Sequence, residues 1–163
     1  MKKIILIIAL ALFSYNANAQ FSLGAGLGLP TGDAESISSL SISVNANYMF
    51  ESESDFKIGV SVAYLSYLGK TIDLAGLGEV KIDNVSWLPL AAVLSYNLSD
   101  KFSIGSDIGY GVGLSPDGIA GGFYLKPTLG YSLGEKTSLN LNYTTLSNDG
   151  SFSNIGLGIA LQL

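Results

Sequence analysis

Residues 40–50 read LSISVNANYMF, and every second residue in this stretch is apolar. The apolar positions are Leu40, Ile42, Val44, Ala46, Tyr48 and Phe50, and serine, asparagine and methionine stand between them. Successive side chains of a β-strand point to opposite faces, so a period of two predicts a strand with one apolar and one polar face.

Seven further segments of the chain repeat this alternation. They are residues 21–29, 56–64, 88–98, 102–114, 123–133, 139–143 and 155–163. With their flanks, most of the eight segments are about ten to thirteen residues long, which suits a tilted membrane-crossing strand of ~9–11 residues. An even number of such segments is typical of a transmembrane β-barrel.

The connections between these segments also alternate in length. Residues 51–55, 99–101 and 134–136 are short and charged, whereas residues 30–39, 69–84, 115–122 and 147–153 are mostly longer and rich in turn formers. Short turns at one end and longer loops at the other are typical of an outer-membrane barrel whose termini both lie in the periplasm.

The apolar side chains are too many for the interior of such a barrel. The alternating apolar rows of the eight segments hold 41 of them, while an eight-stranded barrel seats roughly a dozen side chains inside. We therefore expect them to face lipid, with a soluble periplasmic barrel or sandwich as the main alternative fold.

Aromatic residues favour the membrane barrel. One set lies near the short-turn ends of the segments: Phe21, Tyr48, Phe50, Phe56, Tyr96, Phe102 and Tyr131. A second set lies toward the long-loop ends: Tyr64, Tyr110, Phe123 and Tyr143. Two such bands are expected where amphipathic rings meet the two membrane interfaces.

Three charged residues lie within the strand segments, and all are on the polar face: Lys57, Asp107 and Lys126. We expect Asp107 and Lys126 to meet on neighbouring strands as a structural ion pair inside the barrel, with Lys57 in the same polar network. We expect Tyr67 and Tyr124 to fill space inside the barrel.

Pro89 and Pro127 have no backbone N–H to donate, so they predict local irregularities in the strand pairing. Pro89 also leaves open whether the Trp87 side chain points into the barrel or outward.

The N-terminus predicts an export signal. A basic start is followed by an apolar run over residues 4–13 and by small residues over 16–19, the arrangement of a secretory signal peptide. We assign residues 1–19 to a signal peptide read by the Sec pathway and residues 20–163 to one barrel domain.

Composition excludes several classes of function. The chain has no histidine and no cysteine, and its basic residues are eight lysines without arginine. These absences remove the usual catalytic bases, thiolate chemistry and zinc ligands, and a nucleic-acid surface is not expected. We predict no enzyme activity, no catalytic residue, no cofactor and no metal site.

The eight alternating rows, the inward glycine, serine and asparagine, and the apolar last segment over residues 154–163 resemble the small outer-membrane β-barrel domain family of Gram-negative bacteria. That family includes the opacity-type proteins and the OmpA-like transmembrane barrel. The resemblance implies an all-β, eight-stranded antiparallel up-and-down barrel in the cell outer membrane, with extracellular loops and periplasmic termini. The family's last strand usually ends in an aromatic residue read by the barrel-assembly machinery, whereas this chain ends in Leu163.

We expect a monomeric protein of structural or surface-interaction type that anchors and displays extracellular loops. Its expected partners are outer-membrane lipid and lipopolysaccharide, the barrel-assembly machinery, and an extracellular partner contacted through loop 69–84. The alternative is a narrow channel, or a binding barrel for small solutes or an apolar ligand.

Overall fold

The structure, a computed structural model, describes residues 20–50, 52–73, 79–147 and 150–163. The predicted signal peptide over residues 1–19 lies outside the described residues. So does the middle of loop 69–84, residues 74–78. In the described ranges, no helix is both long enough and apolar enough to cross a membrane.

The described chain forms ten strands and one short helix. In chain order they are β1 (Gln20–Thr31), α1 (Asp33–Ile37), β2 (Ser38–Met49), β3 (Phe56–Gly69), β4 (Thr71–Asp73), β5 (Glu79–Lys81), β6 (Val85–Asn97), β7 (Phe102–Ser115), β8 (Gly122–Ser132), β9 (Thr137–Ser147) and β10 (Ser151–Gln162). Eight of the strands close into an antiparallel barrel in the order β1-β10-β9-β8-β7-β6-β3-β2. The predicted fold class and the eight strand segments are confirmed.

The connections divide the barrel into two ends. The short-turn end carries residues 50, 52–55, 98–101 and 133–136 together with the start of β1 and the end of β10. The long-loop end carries α1, the β4–β5 hairpin and the β7–β8 and β9–β10 connections. The β4–β5 hairpin, which pairs Thr71 with Lys81, is a separate two-stranded sheet between β3 and β6 in the chain.

The apolar rows face outward along the whole wall. Leu27 and Leu157 are register partners on β1 and β10, and they are 59% and 54% exposed. Val60 on β3 and Leu141 on β9 are each 48% exposed. A soluble protein would bury these side chains, so the alternative of a soluble barrel or sandwich with an apolar core is wrong.

Inward glycines lie opposite inward polar side chains on the next strand. Gly24 pairs with Asn45, and Gly156 pairs with Asn142. A Cβ atom on Gly24 would lie 2.7 Å from Asn45 Oδ1, and one on Gly156 would lie 2.6 Å from Asn142 Oδ1. The asparagine side chains therefore occupy the space that the glycines leave, which explains the Gly-x-Gly spacing without any phosphate-binding loop.

Both prolines interrupt the ladder as expected, but neither shifts the strand register. Pairing between β3 and β6 lapses at Pro89 and resumes with Leu65 opposite Trp87 in the same register. Pairing between β8 and β9 lapses at Pro127 in the same way, and a shallow depression of about 500 Å³ lies beside it on the outward face. The register shift of β6 lies instead between Ser86 and Trp87, against β7.

We predict that Gly109→Ala lowers the unfolding free energy of the barrel by about 1–3 kcal/mol. Gly109 faces Ala91 across the β6–β7 ladder, and a Cβ atom there would collide with the carbonyl oxygen of Leu90, which is backbone and cannot move aside. Urea unfolding in detergent micelles, followed by the fluorescence of the single tryptophan, measures the change.

The matched control is Gly134→Ala in the β8–β9 turn, where a Cβ atom would meet nothing within 4 Å. It should change the unfolding free energy by less than about 0.5 kcal/mol. Equal effects of the two substitutions would contradict the close approach of β6 and β7.

Candidate functional site

The interior of the barrel is apolar at the long-loop end. A cluster that we call the plug fills it and consists of Tyr67, Trp87, Tyr124, Leu146 and Phe152. The first four of these side chains are at most 2% exposed, and Phe152 is partly buried against them. The plug side chains therefore pack against one another inside the barrel at this end.

Trp87 is the centre of the plug. Its ring centroid lies 4.7 Å from that of Phe152 and 5.9 Å from that of Tyr67, and the Tyr67 and Phe152 rings are 5.6 Å apart. The indole Nε1 donates a hydrogen bond to the carbonyl oxygen of Ala120 at 3.2 Å. The direction of Trp87, which the sequence left open, is therefore inward.

Contacts between loops cover the plug. Ala34 of α1 is fully buried against it, and Ile119 of the β7–β8 connection packs on it. Asp33 Oδ2 accepts a hydrogen bond from the Ser151 backbone N–H at 3.3 Å, which joins α1 to β10. Lys70 Nζ donates to the backbone oxygen of Glu35 at 2.6 Å. The long-loop end is thus a packed surface.

The ion pair between Asp107 and Lys126, which the sequence analysis expects, lies below the plug. They are register partners on β7 and β8, and Lys126 Nζ lies 3.5 Å from Asp107 Oδ2. The same oxygen accepts a hydrogen bond from Ser61 at 3.4 Å. Asp107 is 6% exposed, so its charge is held inside the barrel by these two neighbours.

Lys57 faces the same lumen nearer the short-turn end. It is the second residue of β3 and pairs with Ser95 of β6, two positions from Val93, the register partner of Asp107. Lys57, Asp107 and Lys126 all line one cavity, so the structure brings the three predicted residues to one space.

This cavity, which we call the cup, has a volume of about 260 Å³ and a polar wall. Among the residues lining it are Asn45, Asn47, Asn140, Asn142, Thr128, Ser43 and Ser138. Residues 134–136 and the ends of β2 and β10 also line it, so the cup opens at the short-turn end. In the described ranges, no group of three or more acidic, histidine or cysteine side chains could hold a metal ion.

The sequence analysis missed two plug residues, Leu146 and Phe152. Both occupy positions on the polar faces of β9 and β10, where a large apolar side chain departs from the alternation. That departure is a usable signal, because a bulky inward residue near a strand end must fill the lumen.

Comparisons with known proteins agree with this architecture. The sequence model of the outer membrane protein beta-barrel domain family matches residues 4–162. No curated protein matches the chain.

Solved structures share the fold at low sequence identity. The Yersinia pestis outer membrane protein Ail in a phospholipid bilayer nanodisc is 13% identical, with 90% of this chain and 100% of that chain covered and a TM-score of 0.62. Ail in complex with the heparin analogue sucrose octasulfate is 13% identical, with 89% and 97% covered and a TM-score of 0.59. A de novo designed transmembrane β-barrel is 11% identical, with 88% and 95% covered and a TM-score of 0.55.

We predict that Lys126→Met lowers the unfolding free energy by about 3 kcal/mol, because it leaves the Asp107 carboxylate without its cation. The double variant Asp107→Asn/Lys126→Met should lose less than half of that, since no uncompensated charge remains. Urea unfolding in micelles measures both, and Lys101→Met, at an exposed turn position, is the control. Additive losses in the double variant would contradict the pairing.

Proposed function

Because the chain belongs to the outer membrane protein β-barrel domain family, we propose that it is an outer-membrane anchor. The proposed anchor does not conduct ions and displays its long loops for surface interaction. The family and the structural neighbours point to an outer-membrane location. The observation that supports the proposal is the plug, because its buried rings occupy the barrel interior beneath α1 and the β7–β8 connection, which pack on it.

The proposed orientation has the long loops outside the cell and both termini in the periplasm, after Sec export directed by residues 1–19. Two features support it. The wall carries an apolar surface that suits a bilayer, and the connections at one end are longer than those at the other. Outer-membrane lipid and lipopolysaccharide would surround the wall, the barrel-assembly machinery would insert it, and the barrel would act as a monomer.

The plug weighs against the alternative of a narrow channel. A conducting lumen needs a continuous hydrated path, and the Trp87, Tyr67 and Phe152 rings contact one another across the interior. We also propose that the protein is not an enzyme. The chain has no histidine or cysteine, and the Asp107–Lys126 ion pair has a structural place between β7 and β8.

The charge of the long-loop end suggests the chemistry of a surface partner. By sequence, the four long connections (residues 30–39, 69–84, 115–122 and 147–153) carry seven carboxylates and two lysines: Asp33, Glu35, Asp73, Glu79, Asp83, Asp117, Asp149, Lys70 and Lys81. One Ail structure is a complex with sucrose octasulfate, a polyanion. An acidic surface repels such a ligand. For this chain we propose a cationic partner, contacted through loop 69–84 and its neighbours.

We predict no discrete conductance steps from the purified protein in planar lipid bilayers. The double variant Trp87→Ala/Phe152→Ala should conduct, because it removes two of the three rings that meet across the lumen. The control Tyr110→Ala, which removes an outward ring that is 54% exposed, should stay silent. Reproducible steps from the unmodified protein would refute the non-conducting anchor, and a heat-modifiability gel confirms that each variant is folded.

We predict that the protein in non-ionic detergent binds polylysine at low salt and does not bind sucrose octasulfate. The triple variant Glu79→Gln/Asp83→Asn/Asp117→Asn should weaken polylysine binding about fivefold or more, since each exposed charge pair contributes up to ~1 kcal/mol.

The control for this experiment is Glu53→Gln/Asp55→Asn/Asp100→Asn, which neutralises three exposed carboxylates at the short-turn end. It should leave the affinity within about twofold of the unmodified protein. Equal losses in the two triple variants would show that net charge, and not the long-loop surface, governs binding.

A further inference from the structure

We propose that the cup binds a small anionic polyol, a sugar that carries one phosphate or carboxylate group, which enters from the compartment that the short turns face. This inference concerns the end of the barrel opposite the displayed loops, so it stands or falls separately from the proposed surface interaction. Three properties of the cup support the proposed binding: its shape, the hydrogen-bonding groups that line it, and the charge of its lining.

The lining of the cup extends from the short-turn end of the barrel to the Asp107–Lys126 pair and includes no plug residue. Its mouth lies at the β8–β9 turn, residues 134–136, and its inner end lies at Asp107 and Lys126. Beyond them stands the plug, beginning with Tyr124, two residues from Lys126 on β8. The volume of the cup is about 260 Å³. The pockets that bind drug-sized ligands usually have volumes of ~300 Å³ or more, so the cup suits a smaller solute, of monosaccharide size.

Asparagine side chains give the cup hydrogen-bonding capacity that the protein leaves largely unused. Asn45 Nδ2 donates to Asn47 Oδ1 at 3.1 Å, and Asn140 Nδ2 donates to Ser138 Oγ at 3.4 Å. Each amide offers two donor hydrogens and two acceptor lone pairs. Asn142 Oδ1 also accepts a hydrogen bond from Thr144 Oγ1 at 3.1 Å. These described side-chain contacts use only part of the capacity of the amides, and the hydroxyls of a polyol can pair with both donors and acceptors.

The charges lining the cup favour an anion. Lys57, Lys126 and Lys136 line it against Asp107 and Glu135, so the lining has an excess of one positive charge in a chain of net charge −5. Lys126 has three donor hydrogens, and its described polar contact is a single 3.5 Å approach to Asp107. One carboxylate would balance this excess, a phosphate monoester with a charge of about −1.5 to −2 would exceed it slightly, and either group can accept the remaining hydrogens.

Titration of the full barrel in nanodiscs with glucose 6-phosphate tests the proposal, with glucose and inorganic phosphate as separate arms. Calorimetry gives the affinities, and the side-chain amide signals of ¹⁵N-labelled protein report on the asparagines. We expect a dissociation constant of about 0.1–1 mM for glucose 6-phosphate and at least tenfold weaker binding of the other two.

Four variants locate the binding. Lys57→Gln should weaken glucose 6-phosphate binding about tenfold, as loss of a charged hydrogen bond does, and Asn140→Ala should weaken it about fivefold without affecting inorganic phosphate. Ala160→Phe, which fills the cup without removing a polar group, should abolish binding. Lys101→Gln is the matched control, because this lysine lies in the β6–β7 turn outside the cup lining. A heat-modifiability gel verifies the fold of each variant.

Several results would overturn the proposal. One is the absence of binding to the folded protein at about 20 mM glucose 6-phosphate. Another is equal affinity for glucose, which would show that the anionic group is not recognised. Equal affinity for inorganic phosphate would show that the sugar is not recognised. Equal weakening by Lys57→Gln and Lys101→Gln would assign the binding to surface charge. Unchanged affinity in Ala160→Phe would place it outside the cup.

Discussion

The whole structure depends on how its backbone hydrogen bonds are satisfied next to an apolar solvent. A sheet in contact with lipid can leave no edge unpaired, because each exposed N–H or carbonyl group there costs several kcal/mol. The pairing of β1 with β10 leaves the sheet without an unpaired edge. The outward apolar side chains, such as those of Leu27 and Leu157, suit contact with lipid. Short polar side chains, glycine and a few charges are left for the interior.

Closure with eight strands makes the interior small, and its contents decide what each end can do. At the short-turn end, glycines on β1 and β10 face asparagines such as Asn45 and Asn142, which leaves the open cup. At the long-loop end, large rings from β3, β6 and β10 meet around Trp87. One barrel therefore has an apolar plug at one end and a polar cavity at the other, and the two proposed functions follow from this division.

Much of this architecture could be predicted from the sequence, because the strand period is local and the short turns fix which strands are neighbours. The strand segments, the outward rows and the inward placement of Asp107 and Lys126 follow from these two rules. The direction of Trp87 did not, because Pro89 breaks the ladder and β6 shifts register beside Trp87. The volume of the cup depends on packing across the barrel, which strand periodicity does not report. The signal peptide and the orientation in the membrane stay predictions.

The most direct test of the inverted polarity compares two neighbouring positions on β9, Leu141 and Asn142, which face lipid and lumen respectively. Because the chain has no cysteine, Leu141→Cys and Asn142→Cys each give a single thiol. In nanodiscs, the thiol at 141 should be protected from a small water-soluble methanethiosulfonate reagent, and a fluorophore attached there should be quenched by nitroxide-bearing lipid. The thiol at 142 should react with the reagent. The reverse pattern, with position 141 reactive and unquenched, would contradict the account.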